Sequence, residues 1–146
     1  RTRWMGMHDG RIKLALAAVD LAADHPLLLG YSELTIAFAE LRRGKIDSFE
    51  RLMVRGLGRV PTDARHTELA ILAAEQSVRR GRLDPSRMML SLWRKRLHQA
   101  GEEELVKLVE DTAREHLERV RGKREKPKEK KRLIEAPDGN FPIVLP

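Results

Sequence analysis

Helix start and stop signals recur along the whole of this 146-residue chain, and no internal segment alternates apolar and polar residues with period two. Asp9 precedes an apolar run that stops at His25 before Pro26, and Ser32 is placed to cap a segment running to Arg43 before Gly44. Asp47 with Glu50 three residues on reads as a capping box for a short helix ending near Gly56 or Gly58. Thr62 opens a fourth helix that runs to Arg80 and Gly81. Asp84 followed by Pro85 reads as an N-cap with proline at the first helical position, starting a fifth helix that ends at Ala100 and Gly101. A sixth runs from Glu102 toward Arg121, and Pro127 forbids much more. The expected fold is all-α. A bundle of about six helices spans residues 11–121, between a basic N-terminal arm (1–10) and a C-terminal segment (122–146) made of a basic linker and an extended apolar tail.

Part of the sequence repeats. Residues 33–53 (ELTIAFAELRRGKIDSFERLM) and 68–90 (ELAILAAEQSVRRGRLDPSRMML) share Glu-Leu, small apolar residues, then Arg-Arg-Gly, a cation, Ile or Leu, and Asp. Each reads as helix, corner, helix. Corner chemistry explains much of this: basic residues suit the negative helix end, Gly takes the left-handed position and Asp caps the next helix. It does not explain why both corners carry three basic residues.

Helix faces are of two kinds. Residues 14–23 (LALAAVDLAA), 34–39 (LTIAFA) and 69–74 (LAILAA) are apolar nearly all round and must be buried on most sides, which one chain of this size can hardly do alone. The third helix instead sets Phe49, Leu52, Met53 and Leu57 opposite Arg51 and Arg55. The fifth sets Met89, Leu92, Trp93 and Leu97 opposite Arg87, Arg94, Lys95 and His98. These are expected to be outer helices with basic outer faces.

Lys and Arg total 29 against 22 Asp and Glu, a net charge of +7, and the charge is laid out in blocks. Residues 42–59 carry six cations and two anions, 79–98 seven and one, and 121–132 eight and two, with acidic stretches between them. In an antiparallel stack alternate corners lie at one end, so these bands can line one surface facing a polyanion. The competing explanation is that the arginines pair with acidic faces, and the sixth helix offers one in Glu104, Asp111 and Glu115. That stripe reads as a solvated or subunit-facing surface rather than a catalytic pair. Arg96, near the centre of the fifth helix's apolar arc, either snorkels at the helix end or crosses an interface toward phosphate.

Several chemistries lack their residues. There is no Cys, which excludes disulfides, thiolate metal sites and cysteine nucleophiles. None of the five His residues has a partner at HExxH or ExxH spacing, and His116, among Val109, Thr112 and Val120, reads as a core histidine. Gly56-Leu57-Gly58 lacks a third glycine and a preceding strand, so it reads as a helix stop. No enzyme activity, metal or cofactor is expected. No run approaches the roughly 18 apolar residues of a membrane span. Aromatics at 4% disfavour readers that stack successive bases, and the scarcity of Asn and Gln disfavours adenine recognition by the fifth helix. Few amides with 35% charged residues suit a chain from a thermophile. With Arg1 first and no apolar signal, the start is expected to be trimmed or to lack its first residues.

The arm carries Arg1, Arg3, Trp4, Arg11 and Lys13; Trp4 either stacks on a base or sugar or anchors the arm in an apolar site. Past Arg121, RGKREKPKEKKR is a strap along phosphates or a solvated linker. The end, LIEAPDGNFPIVLP, is apolar, and docks on its own domain or on a neighbour.

A small, cysteine-free, basic, all-helical chain with an arginine-aromatic arm (RTRWMGMHDGR), Arg-bearing helices and a protruding tail resembles the major capsid proteins of filamentous viruses of hyperthermophilic archaea. The resemblance lies in overall design and in the first ten or so residues. It implies helical subunits that pair and wrap double-stranded DNA, held in an A-like form within a helical nucleoprotein, with the arm and outer arginines on DNA, the tail linking subunits, and a virion location. The duplicated corners have no counterpart in that pattern. The residues expected at nucleic acid are Arg1, Arg3, Trp4, Arg11, Lys13, Arg42, Arg43, Lys45, Arg51, Arg55, Arg79, Arg80, Arg82, Arg87, Arg94, Lys95, Arg96, Lys123 and Arg124. Expected partners are double-stranded DNA and either further copies or a homologous subunit. A dimeric helix-turn-helix-like regulator or a chromosome-organising, nucleoid-associated protein of the cytoplasm is the alternative, and a helical adaptor for acidic proteins or RNA a third class.

Overall fold

The computed structural model describes residues 13 and 25–122. The expected helix over 9–25 (Lys13 apart, which is helical and exposed), the arm residues Arg1, Arg3, Trp4 and Arg11, and the C-terminal segment with Lys123 and Arg124 lie outside the described residues. Among those described there are five α-helices and no strand: α1 (Pro26–Arg42), α2 (Ile46–Leu57), α3 (Ala64–Arg79), α4 (Leu83–Gln99) and α5 (Glu103–Arg121). Contacts divide the chain into two compact units that meet at Val60 and Pro61 in sequence.

The first unit pairs α1 with α2. Pro26 opens α1, its fixed φ suiting the first helical position, and the His25 carbonyl accepts from the Leu29 N–H at 3.0 Å. The helix therefore starts about two turns earlier than Ser32 suggested, and Ser32 is buried inside it. It runs on because its backbone is needed close to α2. A Cβ at Gly56 would fall 2.6 Å from Leu34 Cδ2, and one at Gly30 2.8 Å from Arg59 Cβ. Two glycines thus let the antiparallel pair approach closely where a side chain would not fit. Phe38 and Phe49 meet with ring centroids 5.6 Å apart toward the other end. The Arg59 Nε donates to Glu33 Oε1 at 2.8 Å, tying the chain after α2 back to α1. Phe49, Met53 and Leu57 are buried and Arg51 and Arg55 exposed, the division expected of α2.

The second unit is an up-down-up bundle in which α3, α4 and α5 pack on one another. Asp63, not Thr62, is the N-cap of α3, accepting from the His66 backbone N–H at 2.9 Å. Its Oδ1 also pairs with His66 Nδ1 at 2.7 Å. The Trp93 indole N–H, fully buried on α4, donates to Thr67 Oγ1 on α3 at 2.9 Å, and that hydroxyl donates on to the Asp63 carbonyl at 2.7 Å. Ser86 Oγ lies 3.4 Å from His116 Nδ1, placing the first turn of α4 beside α5 and burying His116 as its neighbours in sequence suggested. Residues 69–74 are buried without exception. Leu92 departs from expectation: it is 44% exposed, next to Met88 at 56% one turn earlier.

Three corners share one backbone geometry. Gly44, Gly81 and Gly101 have φ of 80°, 75° and 77°. The residue after each glycine donates to the carbonyl five positions back: Lys45 to Glu40, Arg82 to Ser77 and Glu102 to Leu97, at 2.9, 2.9 and 3.0 Å. This left-handed glycine cap satisfies the last carbonyls of the preceding helix and turns the chain straight into the next. Lys45, Arg82 and Glu102 become the N-caps of α2, α4 and α5, none with a side-chain capping bond. Neither Asp47 nor Asp84 is therefore the cap it resembled; both sit inside the first turn, where their charge suits the positive helix end.

Candidate nucleic-acid interface

Several basic residues of the second unit lie near one end of its bundle. The corner after α3 carries Arg79, Arg80 and Arg82, and the parallel helix α5 brings its last turn to the same place. Glu75 fixes the register: it is buried, and its two carboxylate oxygens lie 3.5 Å from Arg79 Nη2 and 3.9 Å from Arg119 Nη2. Arg80 folds back on its own helix, with Nη1 donating to the Gln76 carbonyl at 2.9 Å and to Gln76 Oε1 at 3.0 Å. Arg121 is exposed at the end of α5, and Arg87 is exposed about one turn down α4. Two guanidiniums, those of Arg79 and Arg119, thus meet at one buried carboxylate, with Arg80 and Arg82 beside the first in sequence and Arg121 beside the second. Arg119 and Arg121 escaped sequence reasoning as site residues. They close an acidic stretch, and only the up-down-up path places them beside the corner 40 positions earlier.

The candidates at the other end of α4 do not join that cluster. Arg94, Lys95 and Arg96 lie at the far end of α4, about 20 Å away at 1.5 Å per residue. Arg94 Nε pairs with Glu110 Oε2 of α5 at 2.6 Å, and His98 Nδ1 with Glu103 Oε2 at 3.0 Å. The Arg96 guanidinium sits 5.4 Å from the Trp93 ring centroid, and burial lowers its pKa from the usual arginine value. Within the chain Arg96 thus lies over the ring of Trp93, one turn earlier on the same helix. In the acidic stripe of α5, Asp111 pairs with Arg114 at 3.0 Å.

Arg42, Arg43, Lys45, Arg51 and Arg55 belong to the first unit. Arg43 is paired with Glu40 at 3.6 Å across one turn. Lys45, Arg51 and Arg55 are exposed, with no side-chain hydrogen bond or ion pair among the described residues. Two arginines one turn apart repel by about 0.2–0.5 kcal/mol, so α2 carries a small destabilisation that a row of anions would remove. Among the described residues, no group of three or more His, Cys, Asp or Glu side chains could hold a metal, and no helix is long and apolar enough to cross a membrane.

Compared with family models, curated proteins and solved structures, the chain matches none.

Proposed function

We propose that this protein is a structural, duplex-binding protein that grips the sugar-phosphate backbone of double-stranded DNA without regard to sequence, as the repeated subunit of a helical nucleoprotein filament. The observation that carries the reading is the basic corner of the second unit, where Arg79 and Arg119, 40 positions apart in sequence, meet at Glu75. Guanidinium groups held in this way suit phosphate oxygens, which they bind through paired N–H donors. The first unit by itself offers exposed cations on α2 and at its corner. The residues offered are Arg and Lys rather than the Asn and Gln that read adenine edges, so contacts position the protein on the backbone and do not select bases.

The filament and virion part of the reading rests on the resemblance in design to archaeal filamentous capsid subunits. Electron microscopy of the purified protein with and without a duplex of random sequence tests the reading. Continuous rods of even diameter that appear with DNA support it; discrete complexes at separate sites favour the dimeric regulator, and particles unchanged by DNA rule out a coat.

A further inference from the structure

The two Arg-Arg-Gly corners are the same object twice. The backbone bonds of Gly44 and Lys45 repeat at Gly81 and Arg82, and the side chains correspond: Arg42 to Arg79, Arg43 to Arg80, Lys45 to Arg82. The third corner is an internal control. Gln99-Ala100-Gly101-Glu102 makes the same turn, with the same glycine conformation and the same bonds, and contains no cation. At the position after the glycine it carries an anion where the other two carry Lys45 and Arg82. The turn therefore needs its glycine but not its basic residues.

What folding can use is also limited by position. One or two cations in the last turn of α1 or α3 are enough to face the negative helix end. The third cation of each corner sits at the N-cap of the following helix, where the preferred residues are Ser, Thr, Asp and Asn. Both repeats nonetheless keep it.

Resting on the duplex-binding reading, we infer that residues 42–45 and 79–82 are two equivalent backbone-binding elements, one in each compact unit, so that a single chain holds a DNA duplex at two points. Lys45 is exposed, and Arg43 and Arg79, each bonded at one nitrogen to a carboxylate of its own helix, stay 55% and 61% exposed with further N–H donors for a phosphate. Two weak grips on one chain raise the total affinity well beyond either alone, since the second forms intramolecularly. A repeat built in this way suits a coat, in which every subunit needs the same hold wherever it lands.

The test compares four full-length variants with the wild type by fluorescence anisotropy on a random duplex over a range of salt. One neutralises the first corner (Arg42→Gln, Arg43→Gln, Lys45→Gln), one the second (Arg79→Gln, Arg80→Gln, Arg82→Gln), and one both. The fourth removes three cations elsewhere (Arg65→Gln, Lys107→Gln, Arg114→Gln) and so matches the net charge of a single-corner variant. With six phosphate contacts the wild type has a log-log salt slope of about −5. Each corner variant should lose about 2–3 of that slope, the two losses agreeing within about one, and the double variant should lose nearly all of it, while the control loses less than one. A control that falls as far as a corner variant, or one corner that carries the whole slope, overturns the inference and leaves duplex binding standing. A wild type that ignores the duplex overturns both. Should a triple variant fail to fold by circular dichroism, the single changes Lys45→Gln and Arg82→Gln take its place. Each should then lower the slope by about 0.9, and no change in either overturns the inference.

Discussion

Replacing Lys45 by Glu separates binding from folding at one residue. Lys45 lies three positions beyond the end of α1 and caps α2, so it stands between a negative helix end and a positive one. Each such end is worth about 0.3–1 kcal/mol to a surface charge, and the two act on Lys45 with opposite signs. Lys45 is exposed, with no ion pair among the described residues, so nothing else is lost when its charge is reversed. Glu102 already occupies the equivalent position of the third corner with an unchanged backbone. The net effect on stability should be within about 0.5 kcal/mol, a shift of no more than about 4 °C in Tm for a unit of this size. Binding should respond far more. One phosphate contact contributes a factor of about eight to the affinity at 0.1 M salt, and reversing the charge removes the contact and adds repulsion, for a loss of roughly tenfold or more. Thermal melts by circular dichroism and anisotropy titrations on the same protein measure both. A variant that binds duplex as well as the wild type, or one that loses more than about 1 kcal/mol of stability, refutes the reasoning, since Lys45 would then serve the fold and not the ligand.

Three further outcomes follow from the packing. Gly56→Ala places a methyl group 2.6 Å from Leu34 Cδ2 and 3.0 Å from the Gly30 carbonyl, so it should destabilise by about 1–3 kcal/mol in urea unfolding; an unchanged midpoint would mean that the two helices can separate freely. Thr67→Val leaves the buried Trp93 N–H without its acceptor and should cost about 1–3 kcal/mol, read from the same unfolding curve, whereas Thr67→Ser should retain most of the stability. For Asp63, burial pushes the carboxyl upward, but hydrogen bonds from the His66 backbone and ring, with the charges of His66 and Arg65, outweigh it and hold the pKa below the usual 3.8. A carboxylate favoured in the folded state contributes stability that is complete above about 3.8 and disappears as pH falls through the lower folded value, so the contribution should vanish in strong acid. Asp63→Ala should lower stability by about 0.5–2 kcal/mol at neutral pH and flatten the acid limb of the pH profile; an acid limb identical to the wild type's would contradict this.

Helix class, the glycine corners and the division of α2 into buried and basic faces were legible from local sequence, because turn chemistry and periodicity act over a few residues. Helix starts were less so. Ser32, Thr62 and Asp84 all look like caps, yet the first is buried in the middle of α1. Close packing through Gly30 and Gly56 and the geometry of the corners decide those boundaries, and both depend on contacts far apart in sequence. The same holds for the site. A count of charges found the corner at 79–82, but the meeting of Arg79 with Arg119 at Glu75 exists only once three helices are stacked. Leu92 shows the converse: its helical phase agrees with burial, but α3 and α5 leave that flank of α4 open.

The central claim is tested most directly by measuring affinity for two duplexes of unrelated sequence across a range of salt. Equal affinities on both, with a shared log-log slope near −5, are what a protein gripping phosphates at two basic corners should give. A shallow slope, or a preference of tenfold or more for one sequence, would contradict it.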